Sequence, residues 1–377
     1  MKKKIVSVIL VAAMAVGCLA GCGSKEAKNE DAFYIGGIGP VTGDAAIYGT
    51  AVQNGAQIAV DEINEAGGIN GHQIEYNFQD DQGDPEKAAN AYNTLKDWGM
   101  QVLMGTVTTG PCVSVADLTA ADNMFQITPS ASSTDVIKND NVFQVCFTDP
   151  AQGTKSAQYI GENNLAKKVA IIYNSSDIYS SGIEAKFVEE AANQNFEVVA
   201  EEAFTADSKT DFSTQLQKAK DAEADLVFLP IYYTEVGYIS QQAATLGLNI
   251  PYYGCDGWDG IIKQLNGDTK NIEGATYLTP FVATDTSEKV QAFVNTYKEK
   301  YNAEPDQFAA DGYDAVYAIK AAIEKAGDDT SNEALVSAMT QISVNGLTGD
   351  MTFDENGEPN KSAKVVVIKD GQYVAQN

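Results

Sequence analysis

The stretch KKVAIIYNSSDIYSSGIEAKFVEEAANQNFEVVAEEAF, residues 167–204, sets the architecture. Val169–Tyr173 is a short apolar strand, residues 182–193 read as a helix, and Phe196–Ala200 returns to strand. The alternation continues outward. A helix at 151–163 precedes it; a helix at 211–220, strand Leu226–Leu229, a helix at 235–246 and strand Tyr252–Gly254 follow. Before Asp149-Pro150 the same pattern runs through strand Phe33–Gly39, a helix at 45–65, strand His72–Phe78 and helix Pro85–Trp98. Strand Val102–Met104, helix Val113–Ala121 and strand Met124–Ile127 complete that half. The last third carries helices near 287–301, 308–325 and 332–340, then strands Asp350–Phe353 and Lys364–Ile368. Alternation of short apolar strands with helices predicts an α/β fold of parallel sheets covered on both faces, and two such runs predict two similar lobes.

The N-terminus has the layout of a secretory leader. Lys2, Lys3 and Lys4 form a positive region, and Ile5 to Ala20 is almost wholly apolar but short for a membrane span. Leu19-Ala20-Gly21-Cys22 resembles a bacterial lipobox, so residues 1–21 are expected to be removed and Cys22 to carry the lipid. An ordinary leader with a chance cysteine is the alternative. Residues 22–31 form a polar tether without apolar periodicity, expected to be disordered. Two or three acyl chains would anchor the protein durably to the membrane.

Composition narrows the function. The 377-residue chain is 44% hydrophobic and, without its leader, suits two domains of roughly 150 residues. Its net charge of −27 would repel a phosphate backbone, which argues against a nucleic-acid partner. All 25 basic residues are lysine, so a carboxylate ligand must be held by backbone N–H groups and hydroxyls and not by a guanidinium fork. Cys112, Cys146 and Cys255 are widely spaced and His72 is the sole histidine. That set argues against a zinc site, leaves at most one disulfide, and favours buried free thiols. No GxSxG, HExxH, Walker A or GxGxxG pattern occurs, so neither an enzyme nor a cofactor is expected.

In open α/β sheets ligands bind at the carboxyl ends of strands, against helix N-termini. Four such loops stand out: Gly39 to Asp44, Gly105 to Gly110, Thr128 to Thr134 and Tyr253 to Trp258. Two are rich in hydroxyls, which with helix N–H groups suit a carboxylate; Asp256 in the fourth suits an ammonium. Together they suit a zwitterion, although serine and threonine ahead of a helix more often serve as plain N-caps.

These segments resemble the leucine/isoleucine/valine-binding family of type I periplasmic binding proteins, from about Phe33 to the end. The resemblance rests on Ile38-Gly39-Pro40-x-x-Gly43 with Tyr48-Gly49, and on Ala59-Val60-Asp61-Glu62-Ile63-Asn64 with Gly67-Gly68. Asp80-Asp81-x-x-Asp84-Pro85, Ile127-Thr128-Pro129-Ser130-Ala131-Ser132, Gly312-Tyr313-Asp314-Ala315 and Gly349-x-x-x-Phe353-Asp354 continue it. It implies two Rossmann-like lobes with parallel sheets joined by a three-strand hinge. Lobe one would hold 32–149 and 282–354, and lobe two 150–281 and 355–377. It further implies that Thr109 and Ser132 hold a ligand carboxylate, that the Ser130 carbonyl and Asp256 hold an ammonium, and that Tyr48, Tyr179 and Tyr232 line the cleft. Gly110, Ala131 and Trp258, beside them in the same loops, complete the candidate contacts. The family's cysteine pair is absent here, its positions held by Gly83 and Thr108.

The implied function is capture of a branched-chain or similar amino acid outside the cytoplasmic membrane and delivery to an ABC permease, by a lipid-anchored monomer. The same fold holding an aromatic amino acid, an amide or a carboxylate, or serving as a sensory receptor, is the alternative.

Overall fold

The computed structural model describes residue 29, residues 31–361 and residues 363–376. The expected leader, the lipobox with Cys22 and nearly all of the tether lie outside the described residues. From Ala32 to Asn377 the chain forms one compact unit.

Its first half alternates strands β1 (Ala32–Gly39), β2 (Gln73–Asp80), β3 (Val102–Gly105), β4 (Gln126–Thr128) and β5 (Val142–Gln144) with helices α1 (Ala46–Glu65), α2 (Pro85–Trp98) and α3 (Thr109–Ala121). The strands pair in the order β2-β1-β3-β4-β5, all parallel. The second half continues with α4 (Asp149–Glu162), β6 (Lys168–Asn174), α5 (Ile178–Ala191), β7 (Glu197–Phe204), α6 (Ser213–Asp221), β8 (Leu226–Leu229), α7 (Tyr233–Thr245), β9 (Tyr252–Gly254), α8 (Ile261–Gln264) and β10 (Thr276–Thr279). Helices α9 (Glu288–Tyr301), α10 (Gln307–Ala326) and α11 (Asn332–Met339) follow. Short strands β11 (Val344–Asn345) and β12 (Asp350–Met351) form a hairpin, and β13 (Lys364–Lys369) and β14 (Gln372–Ala375) close the chain. The second sheet runs β14-β13-β10-β9-β8-β6-β7, parallel from β7 to β10 and antiparallel through β13 and β14.

Local chemistry sets the boundaries. Asp84 caps α2, its carboxylate accepting the Lys87 amide at 2.9 Å, and Pro85 sits where a helical N–H has no partner anyway. Asp306 caps α10 in the same way through the Ala309 amide at 3.1 Å. Helix α3 begins at Thr109, four residues before the expected Val113, because Pro111 falls in its first turn, where proline is tolerated. Strands β5, β10, β11 and β14 carry too few residues to stand out as periodic runs. Phe353, expected at the end of a strand, makes only an isolated bridge to Pro359.

Although α9–α11 follow the second sheet in sequence, α10 packs on α1 and against β3 and β4 of the first. The chain therefore passes three times between the two sheets: after β5, after β10 and after β12. Close helix contact makes the second passage possible. A Cβ on Gly55 would lie 1.8 Å from the Ala309 carbonyl oxygen, and one on Gly312 2.4 Å from that of Val52. The largest hydrophobic cluster runs without a break from Ile35 and Met104 of the first sheet to Val227 and Tyr277 of the second, through Tyr48, Tyr233, Trp258 and Phe308.

Candidate functional site

The carboxyl ends of β3, β4, β8 and β9 converge on a small, partly open hollow between the two sheets. Tyr48, Thr109, Ser130, Tyr179, Tyr232 and Asp256 line it, six of the expected contacts, with Val107, Thr108 and Gly257 from two of the expected loops and with Phe308, which sequence reasoning missed.

One end is a helix start. In α3, Thr109, Gly110 and Pro111 occupy the first three helical positions. Proline has no N–H, and the Cys112 amide donates to the Thr108 carbonyl at 3.1 Å. Thr109 and Gly110 thus hold the first-turn donors that no helical carbonyl can use. Thr108, the N-cap, leaves them uncapped, since its side chain makes no capping bond. The flanking loops are tied together: the Ser130 hydroxyl donates to the Val107 carbonyl at 2.7 Å, and the Thr128 hydroxyl to the Thr106 carbonyl at 2.6 Å. This end can hold an anion.

The opposite end is a carboxylate. Asp256 is 4% exposed and accepts the Tyr179 hydroxyl at 2.7 Å. The same hydroxyl accepts the Gly257 amide at 3.0 Å, so the direction of its proton is settled. The Asp256 amide donates to Gln152 Oε1 at 3.1 Å. Burial pushes the Asp256 carboxyl up to about 6, against the lowering effect of Tyr179, Gln152 and the Gly257 amide, while Asp259 raises it further. It remains mostly ionised at neutral pH and lacks a lysine partner among the bonds it makes.

Aromatic walls connect the two ends. Tyr179 and Tyr232 stack with centroids 4.9 Å apart at 14°, and Phe308 lies 4.2 Å from Tyr48. Phe308 belongs to the first turn of α10, beyond the second passage between sheets; no local pattern marks it.

Four expected contacts lie elsewhere. Trp258 is a correction. It is fully buried, its indole N–H donates to the Leu229 carbonyl at 2.9 Å, and its ring stacks on Tyr277 in the core. Residues 256–258 form one 3₁₀ turn, which sends Asp256 and Trp258 to different sides. Ala131 packs with Cys112 and Val136 behind the wall. Ser132 is 1% exposed and does not line the hollow; its carbonyl accepts the Asp149 amide at 2.9 Å. Gly110 lines a wider outer hollow with Asp44, Asp177, Lys209 and Glu235.

Cys112, Cys146 and Cys255 are buried free thiols. Among the described residues there is no group of three or more His, Cys, Asp or Glu side chains able to hold a metal ion, and no helix long and apolar enough to cross a membrane.

A two-sheet clamp with a helix start facing a carboxylate across a small aromatic hollow defines a solute-binding receptor. A family model described as "Periplasmic binding protein" matches residues 32–372, and the chain belongs to that family. It is similar to the Leu/Ile/Val-binding protein BraC3 of Rhizobium johnstonii, 32% identical over 86% of this chain and 88% of the relative. Among solved structures it resembles the branched-chain amino acid transporter substrate-binding protein LivJ of Streptococcus pneumoniae in complex with isoleucine, with TM-score 0.83, 32% identity, and 92% of this chain and all of that one covered. The leucine-binding protein LivK of Thermotoga maritima gives a TM-score of 0.84 at 28% identity, over 92% of this chain and 98% of that one.

Proposed function

We propose that this chain is the substrate-binding component of an ABC importer for a branched-chain or similar α-amino acid. The observation that carries the reading is the Asp256 carboxylate, held by Tyr179, sharing one hollow with the uncapped start of α3. The ligand carboxylate takes the Thr109 amide and hydroxyl at the start of α3. Its ammonium takes Asp256 and the Ser130 carbonyl, and its side chain lies among Tyr48, Tyr232 and Phe308. The names of the relatives at about 30% identity support the same ligand class.

Residues 32–149 with 282–354 act as one lobe and residues 150–281 with 355–377 as the other. A ligand touching both has more contacts in the closed state and shifts the population towards it. The closed form is what the permease recognises, and no chemical step on the ligand is part of the reading. Cys22 carries the lipid that keeps the monomer at the outer surface of the membrane. Replacing Cys22 by Ser should move the protein from the membrane fraction to the soluble one.

A thermal-shift screen of the leaderless protein against amino acids, small carboxylates and amides tests the ligand. A hundredfold excess over Kd adds about 2.7 kcal/mol to the stability. A rise with leucine, isoleucine or valine is expected. A rise only with a compound lacking the α-ammonium would discard the assignment of Asp256.

A further inference from the structure

The turn that carries Asp256 is held from two directions. On the side of its own sheet, Tyr179 donates to its carboxylate and Gln152 Oε1 receives its amide. From beyond the second passage comes Gln307, the first residue of α10 after its cap Asp306 and only 1% exposed. A first-turn amide has no partner within its own helix. That of Gln307 donates to Asp259 Oδ2 at 2.9 Å, while Asp259 Oδ1 accepts the Tyr277 hydroxyl and the Gly260 amide, each at 3.1 Å. The Gln307 side chain serves the same turn. Its Nε2 donates to the Asp256 carbonyl at 2.8 Å, and the Thr279 hydroxyl donates to its Oε1 at 3.0 Å. A carbonyl only accepts, so the orientation of this amide is settled.

Thr279 ends β10, where the chain leaves the second sheet for the first. Phe308, the next residue along the chain from Gln307, lines the hollow. One buried amide therefore joins the peptide of Asp256, the end of β10 and the aromatic wall. The neighbouring Gly257 carbonyl accepts the Tyr48 hydroxyl, so two consecutive carbonyls of the turn are held by side chains from α10 and α1. Burying a primary amide is costly unless its polar atoms are bonded, and a methionine would fill a similar length without that cost. The start of α10 is already secured by Asp306 and Asp259. The side-chain bonds of Gln307 thus act on the turn, and the functional group on that turn is the Asp256 carboxylate.

We propose that Gln307 is a positioning residue for the ammonium end of the site. Without touching the ligand, it fixes the Asp256 turn against the start of α10, so that the carboxylate is aimed into the hollow at a set distance from Phe308. This rests on the amino-acid reading above and deepens it.

The test is a double-mutant cycle on the leaderless protein, read by calorimetry with L-leucine, L-isoleucine and L-valine. Gln307→Met leaves the Asp256 carbonyl unpaired and should weaken amino-acid binding roughly tenfold or more. In the Asp256→Asn background the same change should cost less than about twofold, because the charge being aimed is gone. A role in packing alone, or in placing Phe308, would give equal losses in both backgrounds. That result, or no loss in either, would overturn the proposal. Thr279→Val removes the hydroxyl that holds Oε1 and keeps the shape of the side chain. It should weaken binding about threefold with Asp256 present and not in the Asp256→Asn background. If Gln307→Met fails to fold, this second variant decides by the same comparison. A wild type that binds none of the three amino acids would instead remove the ligand reading itself, and this proposal with it.

Discussion

Tyr48 and Gly257 meet across the cleft: the Tyr48 hydroxyl donates to the Gly257 carbonyl at 2.5 Å and accepts the Tyr233 amide at 3.3 Å. Tyr48 rides on α1 above the first sheet, while Gly257 and Tyr233 follow strands of the second. The Ile47 amide donates to the Tyr233 hydroxyl at 3.2 Å, and the Thr234 hydroxyl to the Asp44 carbonyl at 3.1 Å, over the same seam. The two halves are drawn together by bonds from two helix starts, α1 and α7, and two loops.

Tyr48→Phe keeps the ring contact with Phe308 but leaves the buried Gly257 carbonyl without its partner. An orphaned buried acceptor costs about 1–3 kcal/mol, borne only by the closed form. Ligand affinity should fall roughly 5- to 100-fold while solution scattering of the ligand-free protein shows a larger radius of gyration. An unchanged radius and affinity would show that this bond does not govern closure.

Asp256→Asn should separate binding from stability. Removing one partner of a buried ion pair costs about 3–5 kcal/mol, so amino-acid affinity should drop more than 100-fold. In the ligand-free protein the same carboxylate is buried among other acids. Its replacement should leave Tm unchanged or raise it. A lowered Tm together with intact binding would reverse both assignments.

Stability should rise as pH falls from 8 to 5. Burial lifts Asp81, Glu235 and Asp311 to about 7, and Asp256 to about 6. Their unfolded values are near 4. The folded state therefore holds these protons more tightly, and the stability they contribute is complete below about pH 4 and lost as pH rises through 6 to 7. Asp80, Asp117, Asp122 and Asp285 are shifted down by their hydrogen-bond partners, so their contribution disappears below about pH 4. Calorimetric Tm of the ligand-free protein should peak between these limits; a Tm highest at pH 8 would contradict the assignment.

Gly55→Ala or Gly312→Ala should force α1 and α10 apart, since either new methyl would overlap a backbone carbonyl. Overpacking of this kind typically costs about 1–3 kcal/mol, and backbone cannot yield as a side chain does. Chemical denaturation should show the loss, whereas Gly110→Ala, with open space around its Cβ, should be near neutral for stability.

Much of this molecule was readable along the chain, and the failures are specific. Thr109 and Asp256 could be singled out because strand-end loops carry ligands in such sheets, and both line the hollow. Trp258 looked equivalent to Asp256 two residues earlier, but one tight turn sends the indole into the core. Thr108 adjoins a recognised contact, and only its unused capping role sets it apart. Phe308 carries no signal of its own, and Gly257 is marked only by the loop that holds it.

The sequence alone determined the alternation of strands and helices, and with it the class of fold, because burial leaves a period in the chain that depends on near neighbours. Tertiary structure decided which distant segments share the cleft. Tyr48 and Gly257 are 209 residues apart, and their bond exists only because the chain passes three times between the sheets. Periodicity records that a face is buried. It does not record what the face is buried against, and the charge environment of Asp256 depends on that.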